Sequence, residues 1–191
     1  RVVIATKTMR EDAAGFWREL ETSLALLKTD YIDIYQFHNP AFCPKPGDES
    51  GLYDAALEAK RQGKIRFIGL TNHRLGVARE AVDSALYDTL QFPFSYLSGE
   101  QERELVRACA EKGMAFIAMK ALSGGLITNA EAACAWLTRF DNVFPIWGIQ
   151  RERELNEFLE CVANPPALTD ELSAVIEADR KALTGDFCRG C

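Results

Sequence analysis

Gly63-Lys64-Ile65-Arg66-Phe67-Ile68-Gly69-Leu70-Thr71-Asn72 is the stretch that decides the fold. It opens on a glycine suited to stopping a helix, continues as a mostly apolar β-prone run from Ile65 to Thr71, and ends on polar residues. The segment before it, Leu52 to Gln62, reads as an amphipathic helix, and so does Leu75 to Ser84 after it. Working outward, the same alternation recurs. Further strands are expected at Arg1 to Lys7, Ile32 to His38, Thr89 to Phe94, Met114 to Met119 and Asn142 to Trp147. Helices are expected at Ala13 to Leu27, with Phe16, Leu20, Leu24 and Leu27 on one face, at Glu100 to Lys112, at Asn129 to Leu137 and at Arg151 to Val162. Ser98 with Gln101 forms a capping-box pattern before the Glu100 helix, and Gly113 follows it. Strict alternation predicts a parallel sheet with right-handed crossovers and no internal domain boundary.

Two architectures accept this order, an open doubly wound sheet and a closed eight-stranded barrel. A dinucleotide-binding doubly wound fold would carry G-x-G-x-x-G after its first strand, and the sequence contains none. Polar residues instead gather where strands end: Lys7, His38 and Asn39, Thr71 and Asn72, Gln91, Lys120 and Gly148. In a (β/α)8 TIM barrel these ends converge on the face that carries active sites. Such a barrel needs about eight units and roughly 250 residues. Six units in 191 residues lead us to expect strands 3 to 8, with the first two units absent. An opening inside a β-branched run with no initiator Met fits that expectation.

Composition bounds the partners. The chain is 48% hydrophobic and 26% charged with a formal net charge of −6, its signs interspersed, which argues against nucleic acid or an anionic membrane surface. No apolar run reaches membrane-spanning length, so the expected location is cytoplasmic. Of six cysteines, Cys109, Cys134 and Cys161 sit in helical patterns as expected buried thiols, whereas Cys188 and Cys191 have C-x-x-C spacing. That spacing alone fits a zinc half-site, a redox pair or two iron-sulfur ligands. With only two histidines, a metal-dependent hydrolase is disfavoured. Cys43 and His73 read as ordinary loop and helix-start residues.

Val3-Ile4-Ala5-Thr6-Lys7, Asp30-Tyr31-Ile32-Asp33-Ile34-Tyr35 with His38, Gly63 through Asn72, Gln91, and Ile117-Ala118-Met119-Lys120-Ala121-Leu122-Ser123-Gly124-Gly125-Leu126 together resemble the aldo-keto reductases. Phe187-Cys188-Arg189-Gly190-Cys191 resembles the branch that appends a ferredoxin-like 4Fe-4S segment. The resemblance divides the chain into a partial barrel over 1–185 and the start of an iron-sulfur segment over 186–191.

The resemblance implies hydride exchange between NADP or NAD and a small carbonyl or alcohol substrate. A Tyr protonates the carbonyl oxygen in this family, helped by a nearby cation that lowers its pKa. Lys7 matches that cation and His38 the residue that orients the carbonyl, while the Tyr and an Asp holding the lysine are expected upstream. Thr71, Asn72 and Gln91 match the nicotinamide clamp, with Met119 where many relatives stack a Tyr. Lys120, Leu122, Gly124 and Gly125 match the pyrophosphate turn, and Gly148 and Arg151 the segment after the last strand. The family's Lys-Ser pair for a 2′-phosphate is absent and its later Arg aligns with Glu154, so NADP against NAD stays open. Cys188 and Cys191 are the implied cluster ligands, with an electron-transfer partner as their counterpart. A nicotinamide-binding redox sensor or electron-transfer module without carbonyl turnover is the alternative reading.

Overall fold

The computed structural model describes residues 2–183; Cys188 and Cys191 lie outside the described residues. Six strands hydrogen-bond in sequence order: β1 (Ala5–Thr8), β2 (Ile32–His38), β3 (Ile65–Thr71), β4 (Thr89–Pro93), β5 (Ala115–Met119) and β6 (Val143–Pro145). Helices α1 (Ala13–Leu27), α2 (Leu52–Arg61), α3 (Leu75–Ser84), α4 (Glu100–Glu111) and α5 (Ala130–Leu137) alternate with them, and α6 (Glu152–Ala163) and α7 (Asp170–Leu183) follow. No helix among the described residues is long and apolar enough to cross a membrane.

The helices start and stop for local reasons. Asp12 accepts the Gly15 N–H at 2.8 Å to cap α1, which buries Phe16, Leu20 and Leu24 and ends at Lys28 in the left-handed region. Leu27, in the last turn, is 47% exposed despite sharing that stripe. Helix α4 is capped one residue later than its sequence predicts. The Ser98 hydroxyl is taken by the Ser95 N–H at 3.0 Å, and Glu102 reaches back to the Gly99 N–H at 2.9 Å. Helix α7 was not expected, since no strand precedes it. Thr169 before an acidic first turn and Arg180-Lys181 in the last turn, matching the helix dipole, were its sequence signal. Strand β1 starts late because the Ile4 N–H is spent on Asp33 Oδ2 at 3.0 Å, and β6 is short because Pro145 brings no donor.

Packing divides the described residues into two compact units, 2–91 with 108–115 and 92–107 with 116–183. In the first unit α1 covers one sheet face: Phe16 meets Tyr35 edge-on at 5.3 Å and Phe37 at 6.1 Å, and Tyr87 meets Phe37 and Tyr53. In the second, Phe94 gathers Phe116, Trp136 and Phe140 within 5.5 Å. Cys43, Cys109, Cys134 and Cys161 are buried free thiols.

Parallel register sets the opposite face of the first unit. Lys7 aligns with Gln36, Gln36 with Gly69 and Gly69 with Thr89; two residues further on, His38 aligns with Thr71 and Thr71 with Gln91. Gly69 is required here by space. A Cβ at Gly69 would lie 2.3 Å from Thr89 Oγ1 and 2.8 Å from Gln36 Cγ. Gly69→Ala is expected to cost about 1–3 kcal/mol by overpacking, measured by urea unfolding, with Thr89→Ala in the same background recovering part of the loss.

Candidate active site

Strand periodicity places the side chains of the first unit. Residues two apart share a face, so Lys7, Gln36, His38, Thr71, Thr89 and Gln91 stand together opposite the face covered by α1. Lys7 is exposed and His38 half-buried, whereas Gln36, Thr71 and Gln91 are buried. Gln36 Nε2 donates to Gln91 Oε1 at 3.1 Å, which fixes the Gln91 carboxamide. Sequence reading missed Gln36. Its signal was the period-two step from His38, a polar residue in an otherwise apolar strand.

Electrostatics separate the two candidate catalytic groups. Partial burial, and then the Lys7 charge, hold His38 below the ordinary histidine range, so its imidazole is neutral at pH 7. Lys7 and His38 line one cleft of about 580 Å3 together with Met9, Arg10, Glu19 and Ser23. Glu19 of α1 ties down the end of β1 beside Lys7, accepting from Thr8 Oγ1 at 2.5 Å, the Met9 N–H at 3.0 Å and Arg10 Nε at 2.8 Å. Burial opposes its charge, yet these bonds hold its carboxyl below the usual range.

The loops after β2 and β3 are locked together. Asn72 is fully buried; its Nδ2 donates to the Pro40 carbonyl at 2.9 Å and its Oδ1 accepts the His73 and Arg74 N–H groups at 2.9 and 2.8 Å. Arg74 Nη1 adds bonds to the Asn39 carbonyl and Oδ1, each at 3.2 Å. Asn39 takes a left-handed conformation (φ 52°) that asparagine tolerates. The described bonds use one Nδ2 hydrogen of Asn72 and both Oδ1 lone pairs, so its carboxamide braces these loops as well as standing at the strand end.

In the second unit, Met119 is buried and Lys120 opens a turn at φ 54°. The Ser123 N–H donates to the Lys120 carbonyl at 2.7 Å and the Gly125 N–H to the Leu122 carbonyl at 2.9 Å. Ser123 is anchored to Ser95 through their hydroxyls at 2.8 Å. Gly124 and Gly125 have φ 70° and 98°, and a Cβ on either would meet nothing within 4 Å, so backbone conformation requires these glycines and the space beside them is open. Gly148 and Arg151 are exposed. Glu154 accepts the Gln150 N–H at 2.8 Å and the Arg151 N–H at 3.1 Å, placing a carboxylate on the two amides that precede α6.

Residues 1–135 match the model of the aldo/keto reductase family. The NADH-specific methylglyoxal reductase of Escherichia coli (strain K12) is 33% identical over 111 residues, covering 58% of this chain and 34% of that protein. The aldo-keto reductase YhdN of Bacillus subtilis (strain 168) is 30% identical over 144 residues, covering 68% of this chain and 41% of that protein. This chain thus spans less than half the length of either of these relatives. In fold, it superposes on the aldo-keto reductase AKR11C1 from Bacillus halodurans (holo form) with a TM-score of 0.77 at 21% identity, over 99% of this chain and 75% of that one. Six of the eight strand-helix units of a (β/α)8 barrel are three quarters, and the parallel sheet with alternating helices is that architecture.

Lys7→Met should raise the His38 pKa toward the ordinary histidine value, because it removes a like charge while leaving the burial. Imidazole proton shifts followed by NMR against pH will read the change, and a pKa that stays put or falls would contradict the coupling.

Proposed function

Because this chain belongs to the aldo/keto reductase family, we propose that the protein containing it is an NAD(P)-dependent oxidoreductase acting between a nicotinamide and a small carbonyl or alcohol. The observation that carries this reading is the single polar face of the first unit, with Lys7, His38, Thr71 and Gln91 near the C-terminal ends of four parallel strands. Bound nicotinamide would supply or accept the hydride.

In this reading Lys7 lowers the pKa of a tyrosine that protonates the carbonyl oxygen. Burial drives Tyr53, Tyr87 and Tyr96 upward and Tyr35 up to about 12, the wrong direction for that acid. Tyr31 precedes β2, at the end away from His38, under the Arg66 guanidinium at 4.1 Å. His38, kept neutral, donates a hydrogen bond to the carbonyl oxygen and orients it. The carboxamide of the nicotinamide falls to Gln91 and Thr71, with the remaining Nδ2 hydrogen of Asn72. In the second unit, the turn from Lys120 through Leu122 to Gly124 and Gly125 offers open backbone to a pyrophosphate, and Met119, Gly148 and Arg151 are the other residues that the family resemblance assigns to nucleotide binding.

Glu154 carries the cofactor preference. Its carboxylate already holds the two amides that precede α6, where a 2′-phosphate would meet like charge, so NADH is preferred over NADPH. The NADH-specific methylglyoxal reductase among the relatives supports this choice and makes a 2-oxoaldehyde the first substrate class to try. Cys188 and Cys191 would provide two ligands to an iron-sulfur cluster coupled to an electron-transfer partner; neither is among the described residues, and no catalytic step is routed through them. The buried free thiols are in keeping with a reducing cytoplasmic setting.

The test is initial-rate kinetics of the complete protein with methylglyoxal and each nucleotide. We expect kcat/KM higher with NADH by about tenfold or more, a ratio reduced by Glu154→Gln, and a kcat loss of about 10²–10⁴ in Lys7→Met. Failure to oxidise either nucleotide with any small aldehyde would overturn the reading. Visible absorbance of the anaerobically purified protein, bleached by dithionite and lost in Cys188→Ser, would establish the cluster, and its absence would remove it.

A further inference from the structure

We propose that Ser95 is a positioning residue for nucleotide binding: its buried hydroxyl holds Ser123 in the left-handed conformation that lets the turn from Lys120 to Gly125 receive a pyrophosphate. This role rests on the assignment of that turn to the nucleotide under the proposed function. Ser95 lies two residues beyond β4 and is fully buried, so it acts on the nucleotide only through Ser123.

Four of the six residues from Lys120 to Gly125 have positive φ: Lys120 at 54°, Ser123 at 50°, Gly124 at 70° and Gly125 at 98°. The glycines take such angles freely, whereas a residue with a Cβ is kept there only by its surroundings. At Ser123 the strained angle serves binding. Leu122 at φ −100° and ψ 21°, followed by Ser123 in the left-handed region, is the right-then-left sequence that turns successive N–H groups to one side. Such a concavity holds anions. The Ser123 N–H is taken by the Lys120 carbonyl at 2.7 Å, so the anion falls to the N–H groups of Leu122 and Gly124 on either side. Space beside Gly124 is open, since a Cβ there would meet nothing within 4 Å.

Ser95 is a fixed post for this turn. Its N–H donates to Ser98 Oγ at 3.0 Å, its carbonyl accepts the Ser98 N–H at 2.9 Å, and its Oγ accepts the Leu97 N–H at 3.2 Å. The first of these bonds uses the hydroxyl that the sequence pattern offers to α4 as a cap. From that post the Ser95 hydroxyl meets Ser123 Oγ at 2.8 Å. The neighbouring Phe94 N–H holds the Met119 carbonyl at 3.0 Å, one residue before the turn begins. Both serines are buried, so removing one hydroxyl leaves the other without its partner and the left-handed Ser123 without its tether.

Isothermal titration of the complete protein with ADP-ribose, which carries the pyrophosphate without the nicotinamide, tests the role together with NADH kinetics. Ser95→Ala and, independently, Ser123→Ala should each weaken ADP-ribose and raise the KM for NADH about five- to tenfold, with kcat at saturating NADH kept within about twofold. Adding Ser123→Gly to Ser95→Ala should recover affinity, because glycine takes the left-handed angle without a tether. A serine pair that only packs would lower thermal stability and leave ADP-ribose affinity and KM alone. That result, a loss that Ser123→Gly does not recover, or a fall in kcat with KM unchanged would overturn the role. If the parent protein binds ADP-ribose and oxidises NADH while both alanine variants match it, the reductase reading stands and Ser95 has no part in it. A parent protein that neither binds ADP-ribose nor oxidises NADH overturns both.

Discussion

Close approach of three strands at Gly69 is the constraint on which the candidate site depends. With no side chain at that position, Gln36 from β2 and Thr89 from β4 lean toward each other over β3, at distances a Cβ could not accept. The parallel register then follows. Gln36 reaches Gln91, and His38 lies level with Thr71 and Gln91 at the strand ends. Since a one-residue slip would exchange the two faces of a strand, the same register that buries Tyr35, Phe37, Ile68 and Leu70 against helices presents the polar row opposite.

Two features tune that row. The bonded loops around Asn39, Asn72 and Arg74 hold the ends of β2 and β3, so the half-buried imidazole of His38 sits on a braced strand. Lys7 then acts on it as a like charge, and the result is a neutral donor beside a cation. That pairing suits the polarisation of a carbonyl in the proposed reaction. Glu19 fixes the end of β1, so the cation stands on a tethered strand despite its exposure.

Much of this was legible in the sequence. Alternating β-prone and amphipathic runs, glycines at helix ends and polar residues at strand ends are local signals, and they yielded the order of elements through α6, the fold class and the strand ends on which Lys7, His38, Thr71 and Gln91 stand. What escaped depends on side chains meeting across the chain. Gln36 looked like one polar residue in an apolar strand until Gln91 stood beside it. Asn72 read as a ligand for a carboxamide, yet its bonds to Pro40, His73 and Arg74 show a loop brace that spacing alone does not reveal. Ser98 matched a cap pattern whose hydroxyl was needed one turn earlier.

The most direct test of the central claim, that the polar face of the first unit receives the nicotinamide, is to follow side-chain amide resonances during titration with NADH. Assignments would come from Gln36→Glu and Gln91→Glu. The account predicts that the Gln36 and Gln91 amide signals move together and saturate with nucleotide binding, since their carboxamides are bonded to each other. Saturable binding that leaves both signals in place would show that the nicotinamide lies elsewhere and would contradict the account.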